Sequence, residues 1–191
     1  MGLRATAARG TTAAIGLLAA AALAMSASPA SAKISDGYVR GYDDFRGDWS
    51  DEGVLSATEN SVSNAVCLWQ TILWASGATE IDGTEFDRSD IDGHFGSNTK
   101  RATQQLQAKW GLADSWGEAD GRVGGNTFGK ADDYLVKTGG STDDGQGLKL
   151  TFNRRGVIFH AVRNSAGIYN FQIGTSGIWH GASYTSVTSC D

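Results

Sequence analysis

Proline is nearly missing from this chain: the only one is Pro29. Every turn after it must therefore be made by Gly, Asn, Asp and Ser, and 26 glycines are available. Long apolar runs are also scarce. Ala13 to Met25 is the only candidate, and it is shorter than the roughly 20 residues that a helix needs to span a bilayer. With Arg4 and Arg9 before it and Ala30-Ser31-Ala32 after it, residues 1–32 read as a secretory signal cleaved before Lys33; a retained helix is the alternative. Basic residues are outnumbered, 16 against 21 acids, for a formal charge of −5. That balance makes nucleic acid and anionic lipid poor partners. Cysteine is limited to Cys67 and Cys190. In an exported chain they are expected to pair with each other, closing a loop that contributes about 4–5 kcal/mol in the chain-entropy model. Free thiols, or a bond to another chain, are the alternatives.

The charge is unevenly spread. Residues 33–146 carry ten basic and twenty acidic side chains, while residues 147–191 carry Lys149, Arg154, Arg155 and Arg163 against Asp191 alone. Opposite balances favour contact between the two parts and suggest two structural units. Residues 33–57 combine Gly37, Gly41 and Gly47 with Tyr38, Tyr42, Phe45 and Trp49. The glycines argue against a helix, so this reads as an irregular arm whose rings pack on the rest.

One eight-residue phrase occurs twice, as Asp92-Gly93-His94-Phe95-Gly96-Ser97-Asn98-Thr99 and, 28 positions later, as Asp120-Gly121-Arg122-Val123-Gly124-Gly125-Asn126-Thr127. Asp-Gly favours a tight turn, Phe95 and Val123 are apolar plugs, and the residues that follow can start helices. Helices are expected from about Ser61 to Ser76, capped by Ser61 or Ser63, then over roughly 97–110, capped by Ser97 or Asn98, and then from Asn126 to about Val136. Val62, Val66, Trp69, Ile72 and Leu73 form a stripe at helical spacing along the first. A polar linker over 139–147 follows. Alternation at Leu148, Leu150 and Phe152 and again at Val157, Phe159 and Ala161 then predicts an antiparallel meander of three or four strands over 148–191. Its turns are expected at 153–156, 164–167 and 174–177.

These phrases, together with Val66-Cys67-Leu68-Trp69-Gln70, Leu106-Gln107 and Gly111-Leu112, resemble the bacterial peptidoglycan-binding domain of the three-helix type over roughly residues 58–138. The resemblance implies an α+β protein: a three-helix peptidoglycan-binding-like bundle with a small C-terminal antiparallel β meander. It also implies a secreted wall-binding role with peptidoglycan, through its glycan or stem peptide, as the partner of a monomer. The chain departs from the family in a longer loop over 78–91 and in having no recognisable catalytic domain alongside.

Candidate chemistry is thin. Zinc needs three or four ligands, and the tail offers only His160, His180, Cys190 and Asp191. His94 occupies the variable position of a turn. The run from Arg88 to Thr99 resembles a calcium loop only superficially, because Arg88 and Thr99 stand where acids are required. There is no nucleophile elbow and no pair of carboxylates placed about a bond; Asp92 and Asp120 read as turn formers. No catalytic residue, metal or cofactor is therefore assigned. Ring stacking remains, since ligand sites pair apolar faces with a few polar groups. Trp74, Trp110 and Trp116 are the candidate ligand-binding residues, whereas Trp69 reads as core and Trp179 as packing. Two other functions stay open: an interaction or inhibitor protein using the module as a scaffold, and a wall hydrolase with catalytic groups around His160 and His180.

Overall fold

The computed structural model describes residues 1–2, 36–173 and 177–190. The signal read over 1–32 and the turn expected at 174–177 lie wholly or mostly outside them. The described residues contain three α-helices, α1 (Asn64–Ser76), α2 (Ser97–Lys109) and α3 (Gly125–Asp132). They are followed by β1 (Leu135–Gly140), β2 (Leu148–Arg154), β3 (Val157–Arg163), β4 (Tyr169–Gln172) and β5 (Trp179–Gly181). The strands form one antiparallel sheet in sequence order.

This architecture corrects the expected fold. The class is mixed, but the helices do not form a bundle with a minor tail. Every residue of α1 except Trp74 is buried, which fits a helix enclosed on all sides rather than one with a solvent face. It packs on α2 and also on β2, β3 and β5. The inward row Leu148, Leu150, Phe152, Phe159, Ala161, Tyr169 and Phe171 completes the same core. The sheet is thus one wall of the hydrophobic interior.

The third helix is shorter than expected. It stops at Asp132, and Leu135 to Gly140 pair with β2 instead. Two glycines, Gly125 and Gly129, weaken the helix, while the β-branched Val136 and Thr138 favour an extended chain. The expected linker therefore begins as strand, and its remainder is a hairpin closed by Ser141 N–H donating to the Gly147 carbonyl at 3.0 Å. Gly96 and Gly124, not Ser97 or Asn98, hold the N-cap positions of α2 and α3. Ser63 caps α1 by accepting from the Val66 N–H at 3.2 Å.

The arm is woven into the core. Trp49 is fully buried and meets Phe128 and Tyr169 edge-on. Three buried carboxylates pin it. Asp48 pairs with Arg163 at 2.8 Å and accepts from the Tyr169 hydroxyl. Glu52 accepts from the Arg40 N–H at 2.7 Å and the Tyr184 hydroxyl at 2.7 Å. Asp132 receives the N–H groups of Gly47 and Trp49 at 3.0 and 2.9 Å. Cys67 and Cys190 form a disulfide across 123 positions, tying the C-terminal end to α1.

Candidate functional site: two clamped turns, one of them open

Each Asp-Gly turn is held by a glutamine from the helix before it. The Gln70 amide donates to Asp92 Oδ1 at 2.8 Å, to the His94 carbonyl at 3.1 Å and to Thr99 Oγ1 at 3.1 Å. Its Oε1 accepts from the N–H groups of Asp92 and Gly93 at 3.1 and 2.8 Å. Gln107 donates to Asp120 Oδ1 at 2.8 Å, to the Arg122 carbonyl at 2.9 Å and to Thr127 Oγ1 at 3.1 Å, and accepts from the Gly121 N–H at 2.9 Å. Gly93 and Gly121 take φ of 75° and 66°, a conformation that costs a residue with Cβ about 1–2 kcal/mol. Phe95 and Val123 are buried beneath the turns. The Asp, Gly, apolar and Thr positions of the repeated phrase are therefore structural: the first two make the turn, the third plugs the core, and Asp and Thr anchor the glutamine.

The two copies differ at the mouth. Asp92 follows Gly77 by 15 positions, whereas Asp120 follows Gly111 by only 9. The longer loop folds back as a small hairpin: Glu80 N–H donates to the Thr84 carbonyl at 2.9 Å and Phe86 N–H to the Ala78 carbonyl at 2.8 Å. This brings Glu80, 8 % exposed, beside Asn98 and near Asp90. Burial first, then the Asp90 charge, holds the Glu80 carboxyl above the usual range, offset in part by Thr84 and Asn98. Its Oε1 has no hydrogen-bond partner, while Oε2 accepts from the Thr84 hydroxyl at 3.2 Å.

The second turn is preceded by the shorter loop, whose Ala119 is buried and accepts from the Gln104 amide at 2.9 Å. A cleft of about 280 Å³ opens there, lined by Gln107, Leu112, Ala113, Glu118, Ala119, Asp120, Asn126 and Thr127. Glu118 and Asn126 occupy the places of Asp90 and Asn98 in the repeat. Both are exposed.

The three candidate tryptophans are not brought together. Trp116 is 47 % exposed and lies in the loop that walls this cleft, outside its lining, with the Arg101 guanidinium 3.4 Å above its ring. Trp110 is half-buried, edge-on to Trp69 at 6.2 Å and tilted over Tyr134 at 5.5 Å, which is a packing position. Trp74 lines a separate recess of about 150 Å³ with Phe86, Arg155 and Val157; its rim carries the Arg155–Glu85 ion pair at 2.8 Å. The sequence reading missed the glutamine clamps. Their signal was available: an amide flanked by apolar residues on the buried side of a helix, before each Asp-Gly turn.

His160 and His180 do not face each other. His160 is exposed and pairs across the strands with Gln172; His180 is buried, pairs with Phe171 and points to the opposite face. Among the described residues no group of three or more His, Cys, Asp or Glu is placed to hold a metal ion, and no helix is long and apolar enough to cross a membrane. Comparison with family models, with curated proteins and with solved structures returned no match.

Proposed function

We propose that this chain is a secreted, non-catalytic protein that binds peptidoglycan. The observation that carries the reading is the open cleft at the second Asp-Gly turn. It is a concave site in which Gln107, Glu118, Asp120, Asn126 and Thr127 converge, with Leu112, Ala113 and Ala119 between them, and convergent polar groups in a recess are what orient a bound ligand. The motif resemblance supplies the ligand class, and the Cys67–Cys190 bond is compatible with an oxidising, extracellular location. Asn126 and Glu118 make the polar contacts, with Trp116 at the edge. Trp74 serves its own recess, and Trp110 supports the site from the core. The test is a pull-down of the mature protein with purified insoluble peptidoglycan at low salt. Sedimentation with the wall supports the reading; a protein left wholly in the supernatant ends it.

A second reading is an exported interaction or inhibitor protein. It is favoured by the outer face of the sheet, where Val136, Ile158 and Trp179 are exposed. Failure of the wall pull-down with retention of a protein partner distinguishes it.

A further inference from the structure

Asp-Gly pairs occur at 36–37, at the edge of the described residues, and at 82–83, 92–93, 120–121 and 144–145 within them. Such a pair has a covalent reaction of its own. The glycine nitrogen, unhindered by a side chain, attacks the aspartate carboxyl carbon when that nitrogen is free, the carboxyl can swing against it and there is room for both. The fold grants these conditions unequally. The Gly93 N–H is taken by Gln70 Oε1 at 2.8 Å, and Asp92 Oδ1 is held by the Gln70 amide and the His94 N–H, both at 2.8 Å. The Gly121 N–H is taken by Gln107 Oε1 at 2.9 Å, and Asp120 Oδ1 by the Gln107 amide at 2.8 Å and the Arg122 N–H at 2.9 Å. Both glycines are buried. Asp82 is exposed, but its Oδ1 accepts from the Thr84 hydroxyl at 2.6 Å and N–H at 3.0 Å, and the Gly83 N–H donates to the Glu80 carbonyl at 3.3 Å. The Thr84 bonds, the hydroxyl first, hold the Asp82 carboxyl below its usual range, in the ionised form that resists attack. Asp144 and Gly145 are different. They are the central residues of the turn between β1 and β2, which is closed around them by the Gln146 N–H donating to the Asp143 carbonyl at 3.1 Å and the Ser141 hydroxyl donating to Asp143 Oδ2 at 2.8 Å. Both are exposed, and among the described residues no hydrogen bond holds the Asp144 carboxyl or the Gly145 N–H. A Cβ at Gly145 would meet nothing within 4 Å, so a ring built there has space.

We propose that Asp144-Gly145 is a site of spontaneous covalent modification to isoaspartate, and that the glutamine clamps shield Asp92 and Asp120 from the same reaction. The Gly145 nitrogen bonds to Asp144 Cγ. The hydrogen of that nitrogen and the carboxyl hydroxyl leave together as one water, closing a succinimide ring. One water then opens the ring. Breaking the original peptide C–N bond routes the chain through the side chain, as isoaspartate; breaking the new bond restores aspartate. No oxidant, metal or second protein takes part, and the product has the mass of the parent. The converted turn carries one extra methylene in its main chain close in sequence to Thr142, whose carbonyl accepts from the buried Arg163 at 3.1 Å.

The experiment incubates the mature protein, disulfide intact, for days at neutral pH. Isoaspartate is then located by peptide mapping, because the isomeric peptides separate by reversed-phase chromatography and resist a protease that cuts before aspartate. Asp144 should convert at least about tenfold faster than Asp82, Asp92 or Asp120, a ratio that corresponds to about 1.4 kcal/mol between the local openings that admit the reaction. In the reduced chain unfolded in urea the four pairs should convert at comparable rates, which assigns the difference to the fold. Gln107→Ala removes the acceptor of the Gly121 N–H. It should speed conversion at Asp120 about tenfold and leave Asp92, in the same molecule, at its parental rate. The proposal is overturned if Asp144 in the folded protein is no faster than the clamped pairs, if the same ranking persists in urea, or if Asp120 in Gln107→Ala keeps its parental rate. Where Gln107→Ala speeds Asp92 as well, the variant has lost its fold, and the comparison of folded with urea-unfolded parent decides.

Discussion

Gln107 repeats Gln70: each amide bridges an aspartate, a turn carbonyl and a helix threonine, and each carbonyl oxygen receives a glycine N–H. Both side chains are buried, so each turn depends on one residue outside it.

Gln70→Ala should therefore cost about 3 kcal/mol, because it strands the buried Gly93 N–H, which costs about 1–3 kcal/mol, and removes the remaining bonds of the clamp to Asp92, His94 and Thr99. Gln70→Glu should be no better, since it places an acceptor against Asp92 Oδ1. Urea denaturation measures both; a loss below about 1 kcal/mol for the alanine variant refutes the clamp.

Asp132 predicts a pH dependence. Burial is the main cause that pushes its carboxyl up to about 6 from an ordinary 3.8. The folded state thus holds this proton more tightly than the unfolded chain. Its stabilising effect is full below pH about 4 and is lost as pH rises through about 6, a change on the order of 3 kcal/mol. Asp132→Asn keeps an oxygen for the Gly47 and Trp49 N–H groups and removes the charge. It should raise the melting midpoint at pH 7.5 and leave it nearly unchanged at pH 4. Equal shifts at both pH values contradict the assignment.

Arg163 is 2 % exposed and holds Asp48, the Asp43 carbonyl at 2.9 Å and the Thr142 carbonyl at 3.1 Å. Arg163→Met leaves a buried carboxylate without its cation and should cost about 3–5 kcal/mol. Adding Asp48→Asn should recover part of that loss, because the uncompensated charge disappears. A double variant no more stable than Arg163→Met shows that the guanidinium acts through its packing instead.

Gly93 lies under the disulfide. A Cβ there would stand 3.0 Å from both cysteine sulfurs and 2.7 Å from Val187 Cγ2, whereas one at Gly121 would meet the flexible stems of Lys100 and Gln104 as well as the Lys100 carbonyl oxygen at 3.0 Å. Gly93→Ala should lose about 2–4 kcal/mol, combining the left-handed backbone with overpacking, and more than Gly121→Ala. Reduction of the Cys67–Cys190 bond should narrow the difference. Thermal melts of both variants with and without reductant decide it; a gap indifferent to reductant removes the coupling.

Local chemistry made part of this molecule readable. The turns at Asp92-Gly93 and Asp120-Gly121, the plugs Phe95 and Val123, and the alternation in β2 and β3 all follow from neighbours in sequence. The expected three-helix bundle failed where local and distant preferences meet. Leu135 suits either a helix face or a strand, and only pairing with Phe152 decides it. Asp48 and Arg163 stand 115 positions apart, and no short-range pattern announces such a pair. Glu80 was visible only as one acid in a long loop. Its position beside Asn98 depends on how that loop folds back, and so the difference between the two mouths could not be read from the repeated phrase.

The Cys67–Cys190 bond closes a ring of chain that contains both Asp-Gly turns and the five strands. A single backbone cut anywhere between residues 67 and 190 therefore leaves two pieces joined through sulfur, and the nicked protein keeps its full mass plus one water until a reductant is added. Limited proteolysis read by intact mass thus counts the cuts without reductant and maps them with it.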